Sequence, residues 1–198
     1  IKVNSTPAGL IVAPTRELAL QVFEEIIWLY KKTNLIAVTS IGGMDINKER
    51  KKISKKFNLL IGTPGRINDH LRKKALNLSQ LSFLVLDEAD EMLDLGFRED
   101  LDAIIQSSPN NTRKLLFSAT LPKKIILLAN KYLVNPKKIE VSNQNIPHSD
   151  IDYETFFINK KDTENAIFNL LRYYDNKNIL IFCSTRVSVT HVHTRLLN

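Results

Sequence analysis

Cysteine is almost missing from this chain: Cys183 is the only one in 198 residues. A single thiol excludes an intrachain disulfide and leaves a cysteine-based metal site short of ligands, which fits a reducing compartment. No stretch reaches the roughly 18 consecutive apolar residues that a membrane-spanning helix needs. The opening residues, Ile1, Lys2, Val3, Asn4 and Ser5, contain neither an initiator methionine nor an apolar h-region. They read as the middle of a chain, not as a signal peptide. There is no internal repeat with a period of about 20–50 residues. Low-complexity tracts are also absent.

What is present is ordinary for a soluble globular protein, with 43% hydrophobic and 25% charged residues. A core of normal size can be buried. The formal net charge of +7 is compatible with a polyanionic partner and does not establish one.

Short apolar runs recur along the chain, each followed by an amphipathic segment. They are residues 10–13, 35–41, 59–61, 83–86, 115–117, 139–141 and 179–182. Most lack polar alternation, as strands do when both faces of a parallel sheet are covered. Between them, Leu18, Val22, Ile26 and Leu29 keep helical spacing, as do Phe97, Leu101, Ile104 and Ile105, and then Ile167, Leu170, Leu171 and Tyr174. This alternation predicts an α/β fold with a parallel sheet. Residues 142–150 are polar, hold Asn143, Gln144, Asn145, Pro147 and Ser149, and show neither period. They predict a linker between a first domain, 1–141, and the start of a second, 151–198. That second stretch is too short to close a packed domain.

The most informative segment is Phe83-Leu84-Val85-Leu86-Asp87-Glu88-Ala89-Asp90. Four apolar residues end in three carboxylates. Ligands of open α/β sheets bind at the carboxyl ends of strands. A carboxylate placed there can hold Mg²⁺, and its neighbour can orient or deprotonate a water that attacks a phosphate, as in the second half of an NTPase site. An acidic helix start explains the same residues without any function.

Other strand ends carry similar double meanings. Pro14-Thr15-Arg16-Glu17-Leu18-Ala19 is an N-cap or a place where backbone N–H groups and Arg16 meet a phosphate. Thr63-Pro64-Gly65-Arg66 puts a cap residue, a proline suited to N1 and an arginine at a helix start. Gly42-Gly43 is a flexible turn or a point of close approach for a sugar-phosphate backbone. In Ser118-Ala119-Thr120, the two hydroxyls cap the next helix or bond a carboxylate of the neighbouring strand end, such as Asp90.

Taken in order, these segments resemble the motifs of DEAD-box ATP-dependent RNA helicases. Residues 14–19 match motif Ia, Gly42-Gly43 the GG motif, and 63–66 motif Ib. Residues 87–90 match motif II and 118–120 motif III. Ile181-Phe182-Cys183-Ser184-Thr185-Arg186 resembles motif IV, which opens the second domain. The residues His148, Ile151 and Tyr153 look most like the bacterial branch. The resemblance implies a RecA-like fold: a parallel sheet flanked by helices, incomplete at its N-terminus, followed by the first strand-helix units of a second RecA-like domain.

The resemblance also implies roles. Asp87 would hold Mg²⁺, largely through water, and Glu88 would activate the water that attacks the γ-phosphate of ATP. Asp90, Ser118 and Thr120 would couple the nucleotide site to domain closure. Thr15, Arg16, Gly43, Thr63, Gly65 and Arg66 would grip the sugar-phosphate backbone of one RNA strand, with little sequence preference. ATP would bring the domains together and hydrolysis release them, so that short duplexes open locally. A cytoplasmic enzyme without membrane contact is expected.

No G-x-x-x-x-G-K-[ST] loop occurs in the 198 residues. The family places that loop and the Q motif before Leu10, and motifs V and VI after Asn198. The 198 residues alone are therefore expected neither to bind ATP well nor to hydrolyse it. Two other readings remain: a module that only binds RNA or a protein, and a DNA-directed helicase of the same superfamily. Motif Ib together with the complete Asp-Glu-Ala-Asp tetrad argues against the second. Several residues invite no role. Cys183 reads as buried and inert, and His191 and His193 do not share a helix face. His70 and His148 show no partners, and Trp28 reads as packing. The run Lys48-Glu49-Arg50-Lys51-Lys52 reads as a solvated helix face.

Overall fold

The computed structural model describes residues 6–43, 45–140, 151–175 and 177–197. The linker expected at 142–150 lies outside the described residues. The chain divides into two units, Ile1–Lys138 and Ile139–Asn198.

In the first unit, strands and helices alternate. The order is β1 (Gly9–Val12), α1 (Arg16–Leu29), β2 (Ala37–Ser40), α2 (Ile46–Ile53), β3 (Leu59–Gly62) and α3 (Pro64–Arg72). It continues with β4 (Phe83–Leu86), α4 (Ala89–Asp94), α5 (Arg98–Gln106), β5 (Arg113–Leu116) and α6 (Lys123–Tyr132). The five strands form one sheet in the order β2-β3-β1-β4-β5. Every pairing is parallel. Such pairing requires a crossover between successive strands, and the helices provide it.

Alternate side chains of the strands feed two cores. Leu10, Val12, Leu60, Leu84 and Leu86 face one side, with Ile67, Met92, Leu101, Ile104, Ile125 and Leu128 from α3 to α6. Ile11, Ala13, Leu59 and Ile61 face the other, where Ala19, Leu18, Val22 and Ile26 of α1 cover them. β1 and β3 are thus buried along their whole length. Phe83 and Val85, on the α1 side of β4, are half-buried. Leu29, which shares the helical spacing of α1, is exposed.

The second unit holds a 3₁₀ turn at Lys160–Asp162 and the helices α7 (Thr163–Tyr173) and α8 (Arg186–Leu197). The apolar runs expected as strands at 139–141 and 179–182 are not strands among the described residues. A strand exists only through ladder bonds to a neighbour, and residues 139–140 and 179–182 have none among the described residues. Cys183 is accordingly half-buried, not buried as its apolar run implied. No helix among the described residues is long and apolar enough to cross a membrane.

Candidate functional site

The five strands stop level with one another. Ser40 stands beside Gly62, Gly62 beside Val12, Val12 beside Leu86, and Leu86 beside Leu116. The ladder runs one residue further: the N–H groups of Ala13, Thr63, Asp87 and Phe117 donate to Gly62, Ser40, Val12 and Leu86 carbonyls at 3.0, 3.0, 2.9 and 2.8 Å. The segments singled out in the sequence therefore lie along one rim, at the carboxyl ends of the strands, where ligands of such sheets bind.

At the β4 end, Asp87 is half-buried and Glu88 is exposed. The backbone of Glu88 takes the left-handed conformation, φ 48° and ψ 54°, at the N-cap of α4. Side chains other than glycine adopt this region rarely, because Cβ crowds the carbonyl. It turns the chain sharply from strand to helix, and Asp87 Oδ1 accepts the Glu88 N–H at 3.1 Å. One turn on, Asp90 is tied to the end of β5. Its Oδ2 accepts from Thr120 Oγ1 at 2.6 Å and from the Thr120 N–H at 3.0 Å. Ser118 Oγ donates to the Thr120 carbonyl at 2.6 Å. Partial burial pushes the Asp90 carboxyl up, but the Thr120 hydroxyl and N–H, with the Ser118 hydroxyl close by, outweigh it and hold the group below its ordinary value.

At the other half of the rim, Thr15 caps α1, its Oγ1 accepting the Leu18 N–H at 3.2 Å. Arg16 is exposed and lies against the Gly42-Gly43 turn after β2. Gly43 has φ +77°, and a Cβ there would run into the Arg16 guanidinium. Thr63 occupies the N-cap of α3 but makes no capping bond through its side chain. Gly65 is different from Gly43: a Cβ would meet nothing closer than 3.9 Å. Among the described residues no contact demands glycine at 65. Asn68 Nδ2 donates to Asp100 Oδ1 at 2.7 Å and fastens α3 to α5.

Two residues that the sequence reading passed over join this half. Glu49, expected on a solvated face, is 4% exposed, and His70, expected without partners, is fully buried. Their atoms Oε2 and Nε2 are 3.0 Å apart. Arg66 Nη1 is 3.7 Å from the same Oε2. The sequence held one sign of this. Ile46, Glu49 and Ile53 fall at i, i+3 and i+7, so Glu49 occupies the apolar stripe of α2.

In the second unit, the motif IV segment leads into α8, where Thr185 Oγ1 accepts the Ser188 N–H at 3.1 Å. Glu164 Oε1 is 2.6 Å from His191 Nε2, and Arg195 Nε donates to Glu164 Oε2 at 3.1 Å.

A family model described as DEAD/DEAH box helicase matches residues 2–128. The chain belongs to the DEAD/DEAH box helicase family. It is 38% identical over 193 residues to the DEAD-box ATP-dependent RNA helicase RhpA of Helicobacter pylori, covering 98% of this chain and 39% of that protein. It is 36% identical over 193 residues to the ATP-dependent RNA helicase DbpA of Bacillus subtilis, covering 98% and 40%. Both relatives are bacterial, in line with the branch signature. Among solved structures, a DEAD box protein from the hyperthermophile Methanococcus jannaschii matches with a TM-score of 0.65 and 34% identity, over 100% of this chain and 53% of that one. The chain spans about two fifths of the length of the curated relatives it matches.

The family implies a nucleotide with Mg²⁺, and the rim suits that ion. Asp87 and Glu88 offer hard oxygens, while Asp90 is engaged by Thr120. No group of three or more His, Cys, Asp and Glu side chains that could cage a metal occurs among the described residues. Mg²⁺ keeps most of its waters and needs only one or two carboxylates, which Asp87 could begin to supply.

Proposed function

We propose that this DEAD/DEAH box family member is part of an ATP-dependent RNA helicase, which couples ATP hydrolysis to local unwinding of RNA duplexes and remodelling of RNA–protein complexes in the cytoplasm. One observation carries the reading. The carboxylates of Asp87 and Glu88 stand on the same rim as the Arg16, Gly43 and Arg66 ledge, with the Asp90–Thr120 tie between neighbouring strand ends.

Bound Mg²⁺-ATP supplies the bond to be broken and the positive charge that offsets its phosphates. Asp87 would hold the Mg²⁺, largely through water. Glu88, exposed and unburdened by a capping bond, accepts the proton of the attacking water. Asp90, Ser118 and Thr120 link that site to the movement of the domains. Thr15, Arg16, Gly43, Thr63, Gly65 and Arg66 hold one RNA strand by its backbone, which carries no sequence information. On this reading the first domain is 1–141, the linker 142–150 and the start of the second domain 151–198.

The test is Glu88→Gln in the intact protein. Turnover stops, while ATP still locks the protein on RNA. Normal hydrolysis in that variant, or ATPase stimulation by DNA in place of RNA, ends the reading.

A further inference from the structure

We propose that Glu49 is a positioning residue for RNA: its buried carboxylate fixes the Gly42-Gly43 turn and the Arg66 end of α3 at one spacing. The inference rests on the RNA reading above and adds a residue that touches no ligand.

Three contacts converge on this carboxylate. Oε1 accepts the Ile41 N–H at 3.0 Å. Oε2 meets His70 Nε2 at 3.0 Å and Arg66 Nη1 at 3.7 Å. Ile41 directly precedes the glycine turn, at the end of a strand that pairs, among the described residues, with β3 alone. No strand among the described residues accepts its N–H, and Glu49 does so instead. Arg66 and His70 are four residues apart and share one face of α3. The opposite side of α3 is held by the Asn68–Asp100 bond. A single side chain of α2 thus sets the distance between two parts of the ledge.

Packing does not account for a carboxylate here. The position lies between Ile46 and Ile53 on the buried stripe of α2, where methionine or leucine would fill the space without desolvating a charge. His70 repeats the point. It is fully buried, its Nε2 faces the carboxylate, and its Nδ1 has no hydrogen-bond partner among the described residues. Both groups give up hydration to hold the turn and helix in register. A backbone ligand meets phosphates at fixed intervals, and a ledge already set to that spacing loses less freedom on binding.

The experiment uses the intact protein and a fluorescent uridine homopolymer. Glu49→Met keeps volume and removes the acceptors; Glu49→Gln keeps an acceptor for Ile41. The Met variant is expected to raise the RNA dissociation constant about tenfold, as for loss of one charge-assisted contact, with kcat at saturating RNA and KM for ATP unchanged. Gln, which keeps the Ile41 acceptor but loses the charge facing Arg66 and His70, falls between wild type and the Met variant, about threefold above wild type. Should the Met variant not fold, His70→Leu takes its place and weakens binding about threefold at unchanged kcat. A parallel fall of kcat and affinity, or unaltered RNA binding, overturns the proposal. Arg66→Ala separates the two levels. If it weakens RNA binding while Glu49→Met does not, only the positioning role is lost. If neither does, the RNA ledge itself is wrong.

Discussion

Thr120 gives both its hydroxyl and its backbone N–H to one oxygen of Asp90, at 2.6 and 3.0 Å. The bond crosses from the end of β5 to the first turn of α4, so it ties two neighbouring strand ends by something other than the sheet. Its place beside Asp87 and Glu88 makes it a candidate route from phosphate chemistry to domain movement.

Replacing Thr120 with valine removes the hydroxyl and keeps the shape. The site is partly solvated, so unfolding free energy falls by about 1 kcal/mol or less. In the intact protein, duplex unwinding falls further than RNA-stimulated ATPase. Equal losses in the two assays would argue against a coupling role.

The same bond has a pH signature. The folded-state pKa of Asp90 lies below the ordinary value. Its contribution to stability is present above the unfolded value, about 4 for an aspartate. That contribution is lost as pH falls through the lower folded value. In Thr120→Val the Asp90 titration moves up toward the ordinary value. Carboxyl carbon shifts followed by NMR between neutral and acid pH read this directly.

Arg66→Ala tests the ledge. RNA binding weakens to a similar degree for homopolymers of different base, and the salt dependence of log K becomes shallower by about one unit. A loss confined to one sequence would contradict backbone recognition.

Gly43→Ala meets two obstacles, a φ of +77° and the Arg16 guanidinium. Stability falls by about 1–2 kcal/mol from the backbone alone. RNA affinity falls with it as Arg16 is displaced. Gly42→Ala is milder, because a Cβ there stands 3.4 Å from the guanidinium and the backbone is unstrained. Urea unfolding and RNA titration of the pair give the comparison.

Glu88 holds its left-handed backbone without glycine's freedom. Glu88→Gly therefore folds at least as stably as wild type while losing hydrolysis. Glu88→Val, β-branched in the same conformation, loses about 1–3 kcal/mol. Denaturant midpoints of the two variants should separate in that order.

The strands β1 and β3 were legible as unbroken apolar runs because both of their faces are covered. The strand ends were legible as motifs because polar residues follow those runs at once. Residues 139–140 and 179–182 form no strand among the described residues for the converse reason. Apolar content marks a segment that could pair, and pairing needs a neighbour.

The order of apolar runs and the polar residues that close them determined the α/β class, the family and the identity of the rim residues, since these depend on local period and composition. Only the tertiary structure decided that Glu49 meets Arg66 and His70, that Arg16 lies on Gly43, and that Thr120 bonds Asp90 and does not cap the next helix. Each of these joins segments far apart in the chain, and a one-dimensional pattern carries no distance between them.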